Sequence, residues 1–255
     1  MLRDINTTRN FILPVSMKDA LAASCNGCSI CKKECAFLTT YGNPGSIVKN
    51  HIDDPDKWKS IPFECSLCGL CTSVCPQNLD PLSVFLDFRR TSVKKAQVDF
   101  SKYKRLLNYE RKGSSKKYSL YYLPENCDTI FFPGCTLTGT RSDSTLKAYE
   151  YLKKLDNTTG IVLDCCTKPS HDLGRQNHFN KMFTAMTSYL VKQQIKTIIV
   201  ACTSCHNIFN TYGKEFKIKT IYEVMAQYGF DDNRKVSGKV VIHDPCTVRF
   251  ERSVQ

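Results

Sequence analysis

Cys25-Asn26-Gly27-Cys28-Ser29-Ile30-Cys31-Lys32-Lys33-Glu34-Cys35 sets four cysteines at the spacing C-x2-C-x2-C-x3-C, and Cys65-Ser66-Leu67-Cys68-Gly69-Leu70-Cys71-Thr72-Ser73-Val74-Cys75-Pro76 repeats it. Three thiolates on one tight turn can hold three corners of a four-iron cubane. The segment after the turn carries the fourth cysteine away, so in chains with this repeat it serves the other cluster. One [4Fe–4S] cluster is therefore expected on Cys25, Cys28, Cys31 and Cys75, and a second on Cys35, Cys65, Cys68 and Cys71. Gly69 gives the second loop room for close backbone approach. Ala36 stands where the second run has Pro76. The competing chemistry, a structural zinc protein, commonly uses two C-x2–4-C pairs around a spacer. Four close cysteines in two copies favour iron.

The whole composition agrees with redox chemistry. The 255 residues contain 15 cysteines, an odd number that argues against complete internal pairing. Where thiols stay reduced, many cysteines point to metal or redox use rather than to disulfides. The segment Met1–Asn10 has no apolar core or small-residue cleavage site, and no apolar run approaches the roughly 20 residues that span a bilayer. A cytoplasmic protein is expected, at most peripheral at the inner face of the membrane. The net charge is +12. From Arg89 to Tyr118 there are eleven Lys and Arg against Asp99 and Glu110, an excess of nine. The plainest reading of this run is a solvated helix face and linker; an acidic redox partner or an anionic membrane surface would also suit it. No zinc-finger or RNA-recognition signature supports nucleic acid.

Periodicity divides the chain into two domains: a helical one carrying both cysteine runs, and an α/β one. Over residues 1–100, Ser16 with Asp19 caps a short helix reaching Ala23. Asp80-Pro81 opens a helix with Leu82, Phe85 and Leu86 on one side, reaching about Phe100. Residues 101–125 read as a basic, Tyr-rich linker, with little strand signal before residue 127. From 126 to 235, strands at Thr129-Ile130-Phe131-Phe132, Ile161-Val162-Leu163 and Thr197-Ile198-Ile199-Val200 alternate with helices over 141–155, 175–194 and 220–228, and a further strand is expected at Val240-Val241-Ile242. The 141–155 helix carries Leu146, Tyr149, Leu152 and Leu155. Short apolar strands alternating with helices imply a doubly wound parallel sheet. Each strand runs into cysteine: Cys135, Cys165-Cys166, Cys202 and Cys246. The carboxyl ends of parallel strands share one edge, where ligands bind, so these cysteines should converge.

Cys135, Cys165, Cys166, Cys202 and Cys205 form the pattern C-x29-CC-x35-C-x2-C. With two ferredoxin-type cysteine runs before it, this resembles the cysteine-rich "CCG" family of iron–sulfur oxidoreductases. That family includes heterodisulfide reductase subunits, the C subunit of anaerobic glycerol-3-phosphate dehydrogenase, and iron–sulfur subunits of glycolate and lactate oxidation. The resemblance covers nearly the whole chain. It implies that these five cysteines ligate a noncubane [4Fe–4S] cluster, which in the heterodisulfide branch works in a pair to cleave a disulfide. Two features depart from the family. Thr167 replaces the Gly that follows the cysteine pair, where Thr tolerates positive φ poorly; Pro169 and Gly174 lie close by to shape the loop. Second, His243-Asp244-Pro245-Cys246 resembles the start of a second repeat over 236–255, with nine residues after Cys246 and no second CC pair.

The resemblance implies an electron-transfer subunit of an anaerobic-type oxidoreductase, exchanging electrons with a partner flavoprotein dehydrogenase or reductase. No Gly-rich dinucleotide fingerprint occurs, which places any flavin or nicotinamide elsewhere. A catalytic thiol/disulfide reductase is the alternative. Among the remaining residues, His171 and His206 read as loop polar groups rather than ligands, Asp164 as a hydrogen-bond acceptor or strand terminator beside the CC pair, and Cys127 as a buried small residue. Trp58 should pack between the two cysteine runs. Arg175 is a candidate for supporting an anion.

Overall fold

The computed structural model describes residues 16–230, 237–239, 241, 245–247 and 249–250. The reading of Met1–Asn10, the strand expected at Val240-Val241-Ile242 and the His243-Asp244 step fall wholly or largely outside them. Two compact units meet at Phe85–Leu86.

The first unit is helical: α1 (Met17–Ser24), α2 (Ala36–Tyr41), α3 (Pro44–Asp53), α4 (Pro55–Trp58), α5 (Leu70–Ser73) and the start of α6 (Pro81–Lys94). Its caps follow the sequence. The Asp19 N–H donates to Ser16 Oγ at 3.3 Å, and the Ser83 N–H to Asp80 Oδ1 at 3.2 Å. Leu21, Leu38, Ile47, Val48, Leu70, Val84 and Phe85 form the core, and Phe37 meets Phe85 edge-on at 5.5 Å between ring centres. Trp58 packs against Tyr41. Helix α6 stops six residues before the expected end. Ala96 turns left-handed (φ 54°), and the Gln97 N–H returns to the Ser92 carbonyl at 3.0 Å, which closes the helix.

The second unit holds a five-stranded sheet in the order β1-β3-β2-β4-β5, built from β1 (Leu120–Tyr122), β2 (Thr129–Phe132), β3 (Gly160–Leu163), β4 (Thr197–Val200) and β5 (Lys217–Thr220). Four strands are parallel, but β1 pairs antiparallel with β3, with Tyr121 opposite Val162. The sheet is therefore mixed rather than parallel throughout. β1 is three aromatic-rich residues, too short for a periodicity signal. β5 alternates two lysines with Ile218 and Thr220, the composition of an edge strand.

Strands β2, β3 and β4 are buried on both faces. Ile130, Phe132, Val162, Ile198 and Val200 pack under α11 (Gln176–Lys192) and α12 (Thr203–Tyr212), against Phe179, Phe183, Met186, Leu190, Ile208 and Phe209. Phe131, Ile161 and Ile199 point the other way, against Leu152 of α9 (Ser142–Leu155) and Ile221 and Val224 of α13 (Ile221–Tyr228). Of the four apolar positions on α9, Leu152 is buried and Tyr149 packs beside it, whereas Leu146 and Leu155 flank that stripe and are exposed; Thr145 is buried with Leu152. Thr145 turns inward because its hydroxyl is satisfied by the Arg141 carbonyl at 3.1 Å.

The stretch expected as a basic linker folds onto this unit. It supplies α7 (Lys104–Gly113) and β1. Glu110 of α7 is 2% exposed and accepts from the Ser170 N–H and hydroxyl at 2.7 and 2.5 Å. Two basic residues of the adjoining α6 segment are likewise committed to protein contacts: Arg89 donates to the Asp172 carbonyl at 2.6 Å, and Arg90 to the Tyr212 hydroxyl at 3.3 Å. Charge counting cannot separate such internal partners from a solvated surface.

Candidate cluster-binding sites

The two N-terminal runs build nearly the same backbone. The residues on either side of the second cysteine have positive φ in both: Gly27 (71°) and Ser29 (62°) around Cys28, and Leu67 (53°) and Gly69 (78°) around Cys68. Such turns aim successive backbone N–H groups into one concavity, an arrangement that suits an anionic cluster. The Leu67 N–H already donates to Cys65 Sγ at 3.4 Å. Each loop places its glycine on a different side of the cysteine, so the repeat is plainer in φ than in residue identity.

Two cavities follow from these loops. Cys25, Cys28, Cys31 and Cys75 line one, with Cys71 also at its wall. Cys35, Cys65, Cys68 and Cys71 line the other. Each therefore brings together three cysteines of one run and the fourth of the other. Burial, then the charge of Cys25, pushes the Cys31 thiol up; burial, then Cys65, pushes Cys71 up to about 12. Four thiolates cannot share such a space without a cationic core to offset their charge. The donor set fits a four-iron cluster.

Helix α3 closes the first cavity. Gly45 packs so tightly there that a Cβ would lie 2.6 Å from Cys25 Cβ and 3.1 Å from its sulfur. Pro44-Gly45 looks like a turn in the sequence, and nothing there signals this contact.

In the second unit, Cys135 opens α8 (Cys135–Thr140) after β2, Cys165 and Cys166 follow β3, and Cys202 and Cys205 follow β4. These are three adjacent strands. The chain leaves β2 for β3 on one side and crosses to β4 on the other, so the cysteines surround the switch point where open α/β sheets bind ligands. Their thiols interact in neighbouring groups: Cys135 with Cys165, and Cys205 with Cys166 and Cys202. Accepting from Cys165 draws Cys135 down to about 7, and accepting from Cys205 draws Cys202 to about 6. Donating to their neighbours pushes Cys165 and Cys205 up. Glycines make the approach possible: a Cβ on Gly134 would lie 2.8 Å from Cys202 Cβ, and one on Gly113 would lie 3.2 Å from Cys135 Cβ and 3.3 Å from Cys165 Cβ.

Among the described residues, no three His, Cys, Asp or Glu side chains converge as a single metal ion would require. The eight N-terminal cysteines stand around two cavities instead. Cys246 is exposed, and Cys127 is buried away from the five, with its thiol on the Thr129 carbonyl.

The supporting residues are now placed. Asp164 accepts from the Tyr121 hydroxyl at 2.5 Å and the Cys165 N–H at 2.6 Å. Burial raises its pKa against those two bonds. Tyr121, on the strand missed in the sequence, is the residue that anchors it. His171 is buried, with Nδ1 2.8 Å from Asp172 and Nε2 2.7 Å from the Tyr212 hydroxyl. His206 is buried with Asn210 beside its ring at 3.0 Å. Arg175 donates to Ser170 Oγ at 3.0 Å and lies 3.9 Å from the Glu110 carboxylate. A cavity of about 370 Å³ opens beside Cys135, lined by Tyr109, Lys112, Gly113, Tyr118 and Asp164 among others.

Residues 24–80 match the 4Fe–4S dicluster domain, and residues 129–210 the cysteine-rich domain. The chain is 22% identical to an uncharacterised iron–sulfur protein of Methanococcus maripaludis, over 95% of this chain and 55% of the relative. It is 22% identical to the D subunit of the dihydromethanophenazine:CoB–CoM heterodisulfide reductase of Methanosarcina mazei, over 75% and 54%. It is 26% identical to lactate utilization protein B of an Exiguobacterium species, over 35% and 21%. The chain spans about half the length of the first two. No solved structure matches it significantly. The chain is thus an iron–sulfur protein, a 4Fe–4S dicluster domain followed by a cysteine-rich domain, homologous to that heterodisulfide reductase component.

Proposed function

From this dicluster domain joined to a cysteine-rich domain, we propose an iron–sulfur electron-transfer subunit. Cys25, Cys28, Cys31 and Cys75 hold one [4Fe–4S] cubane and Cys35, Cys65, Cys68 and Cys71 the other. Cys135, Cys165, Cys166, Cys202 and Cys205 hold a third, noncubane four-iron cluster. The observation that carries this reading is the pair of cavities, each lined by three cysteines of one run and the fourth of the other. Bound clusters of this kind supply one-electron carriers whose potentials respond to hydrogen bonds, charge and solvent. The protein contributes inward N–H groups at the cysteine loops and apolar walls such as Leu38, Leu70 and Phe85 that keep water away.

The two-domain reading belongs to the same proposal, as does the cytoplasm as its place. Homology to a heterodisulfide reductase component supports partner proteins, here a flavoprotein that exchanges electrons with the clusters. Lys104, Arg105, Arg111, Lys112, Lys116 and Lys117 remain exposed around α7 and suit an acidic face on that partner. Among the described residues no helix is long and apolar enough to cross a membrane. A second reading, thiol/disulfide reduction at the five cysteines, is favoured by the cavity beside Cys135, which gives a small molecule a way in.

Iron and acid-labile sulfide per chain, on protein purified without oxygen, test the proposal. About twelve iron atoms are expected. About eight would remove the third cluster, and near zero with zinc in its place would overturn the whole reading. Oxidation of the reduced protein by added disulfide would select the second reading.

A further inference from the structure

Thr167 follows the cysteine pair and bears two costs at once. Its backbone is left-handed, with φ 54° and ψ 25°. Of the non-glycine residues described with positive φ, it alone is β-branched, the side-chain type least suited to that conformation. Its side chain is also sealed: the residue is 1% exposed, and Oγ1 has no hydrogen-bond partner in the protein. Buried hydroxyls nearly always have one, because losing water without replacement is unfavourable. A glycine here would incur neither cost.

The backbone shows what the conformation achieves. The Thr167 carbonyl accepts from the His171 N–H at 3.1 Å to start α10 (Lys168–Asp172). The left-handed turn thus leaves a buried, unpartnered hydroxyl on the residue that directly follows Cys165 and Cys166. We infer that the Thr167 hydroxyl is a hydrogen-bond donor to sulfur of the cluster held by Cys135, Cys165, Cys166, Cys202 and Cys205, and that it raises that cluster's reduction potential; this rests on the third cluster proposed above. A donor to cluster sulfur stabilises the more negative, reduced state over the oxidised one.

The test uses the full chain with its clusters, prepared without oxygen, as parent, Thr167→Ser, Thr167→Val and Thr167→Gly. Iron per chain is measured with the midpoint potential of each centre, by redox titration followed by electron paramagnetic resonance. Thr167→Ser keeps the hydroxyl and should match the parent. Thr167→Val keeps the shape, loses the hydroxyl and should move the third centre to a more negative potential, leaving the two cubanes in place. Thr167→Gly should move the same way; because glycine accepts the backbone without strain, it decides the matter should the Val variant fail to fold. About twelve iron atoms with unchanged potentials in the Val or Gly variant would overturn the role of Thr167 alone. About eight iron atoms in the parent would overturn the third cluster, and this role with it.

Discussion

Gly45→Ala is the sharpest test of the first cluster site, because two physical effects predict opposite signs. Alanine is the better helix former by about 1 kcal/mol in a helix interior, so propensity alone predicts a slightly more stable α3. Packing predicts the reverse. The new Cβ would stand 2.6 Å from Cys25 Cβ, and ordinary contact begins near 3.4 Å, so one backbone must retreat by 0.8 Å. Neither carbon is the free end of a flexible side chain, so the strain cannot be shed by a rotamer change. Overpacking of this kind costs roughly 1–3 kcal/mol. It outweighs the propensity gain, which is in any case reduced near the first turn. The expected result is a net loss of roughly 1–2 kcal/mol in urea unfolding. Iron should also fall by about four atoms per chain, because the proposed function assigns Cys25 to the first cluster and not to the second. Lys49→Ala, on an exposed position of the same helix, serves as the control. A Gly45→Ala protein as stable as the parent with its full iron would refute the packing argument and the assignment of Cys25.

Gly134→Ala should act on the cysteine-rich domain in the same manner. Its φ of 85° and the 2.8 Å approach to Cys202 Cβ make alanine both strained and overpacked. The iron content should drop from about twelve to about eight, with the N-terminal clusters retained; a full complement would count against the five-cysteine site. Asp172 gives a pH test. Burial opposes its charge, but the His171 hydrogen bond and Lys168 outweigh burial and hold its carboxyl below the usual range. Between the folded and unfolded values the unfolded chain binds more protons, so this stability is present above about pH 4 and is lost as pH falls further. Asp172→Asn should flatten that part of the acid-unfolding curve, and an unchanged slope would refute the assignment.

The legibility of the sequence tracked how local each cause was. The cysteine runs, the capped start of α6, the strands β2, β3 and β4, and the extent of α11 were all written in neighbours a few positions apart. What escaped depended on distant partners. β1 is recognisable only because Tyr121 lies opposite Val162 and reaches Asp164. α7 reads as solvated because Glu110 finds Ser170 sixty residues away. Leu146 and Leu155 stand roughly half a turn apart on either side of the stripe of Thr145, Tyr149 and Leu152 that α9 packs inward, so their apolar character alone misleads. Gly45, Gly113 and Gly134 matter for what lies against them, and composition gives no sign of it.

The two sets of cysteines solve one electrostatic problem by different means. Several thiolates must be held close, which is unfavourable until a cationic core joins them. In the first unit the solution is local: positive-φ residues on both sides of Cys28 and Cys68 turn backbone N–H groups inward, so each eleven-residue run carries its own compensation. The second unit has no such repeat. Its cysteines come from three strands, and their spacing is fixed by sheet register and by the bare backbones of Gly113 and Gly134. Errors should therefore propagate differently. Damage to one N-terminal loop is confined to the cavities that its cysteines line, whereas a shift of β2 against β3 or β4 moves Cys135 relative to all four of its partners. The burial of Ile130, Phe131, Phe132, Ile198, Ile199 and Val200 at the centre of the sheet is what prevents that shift, so the hydrophobic core under the five cysteines is part of the proposed redox site.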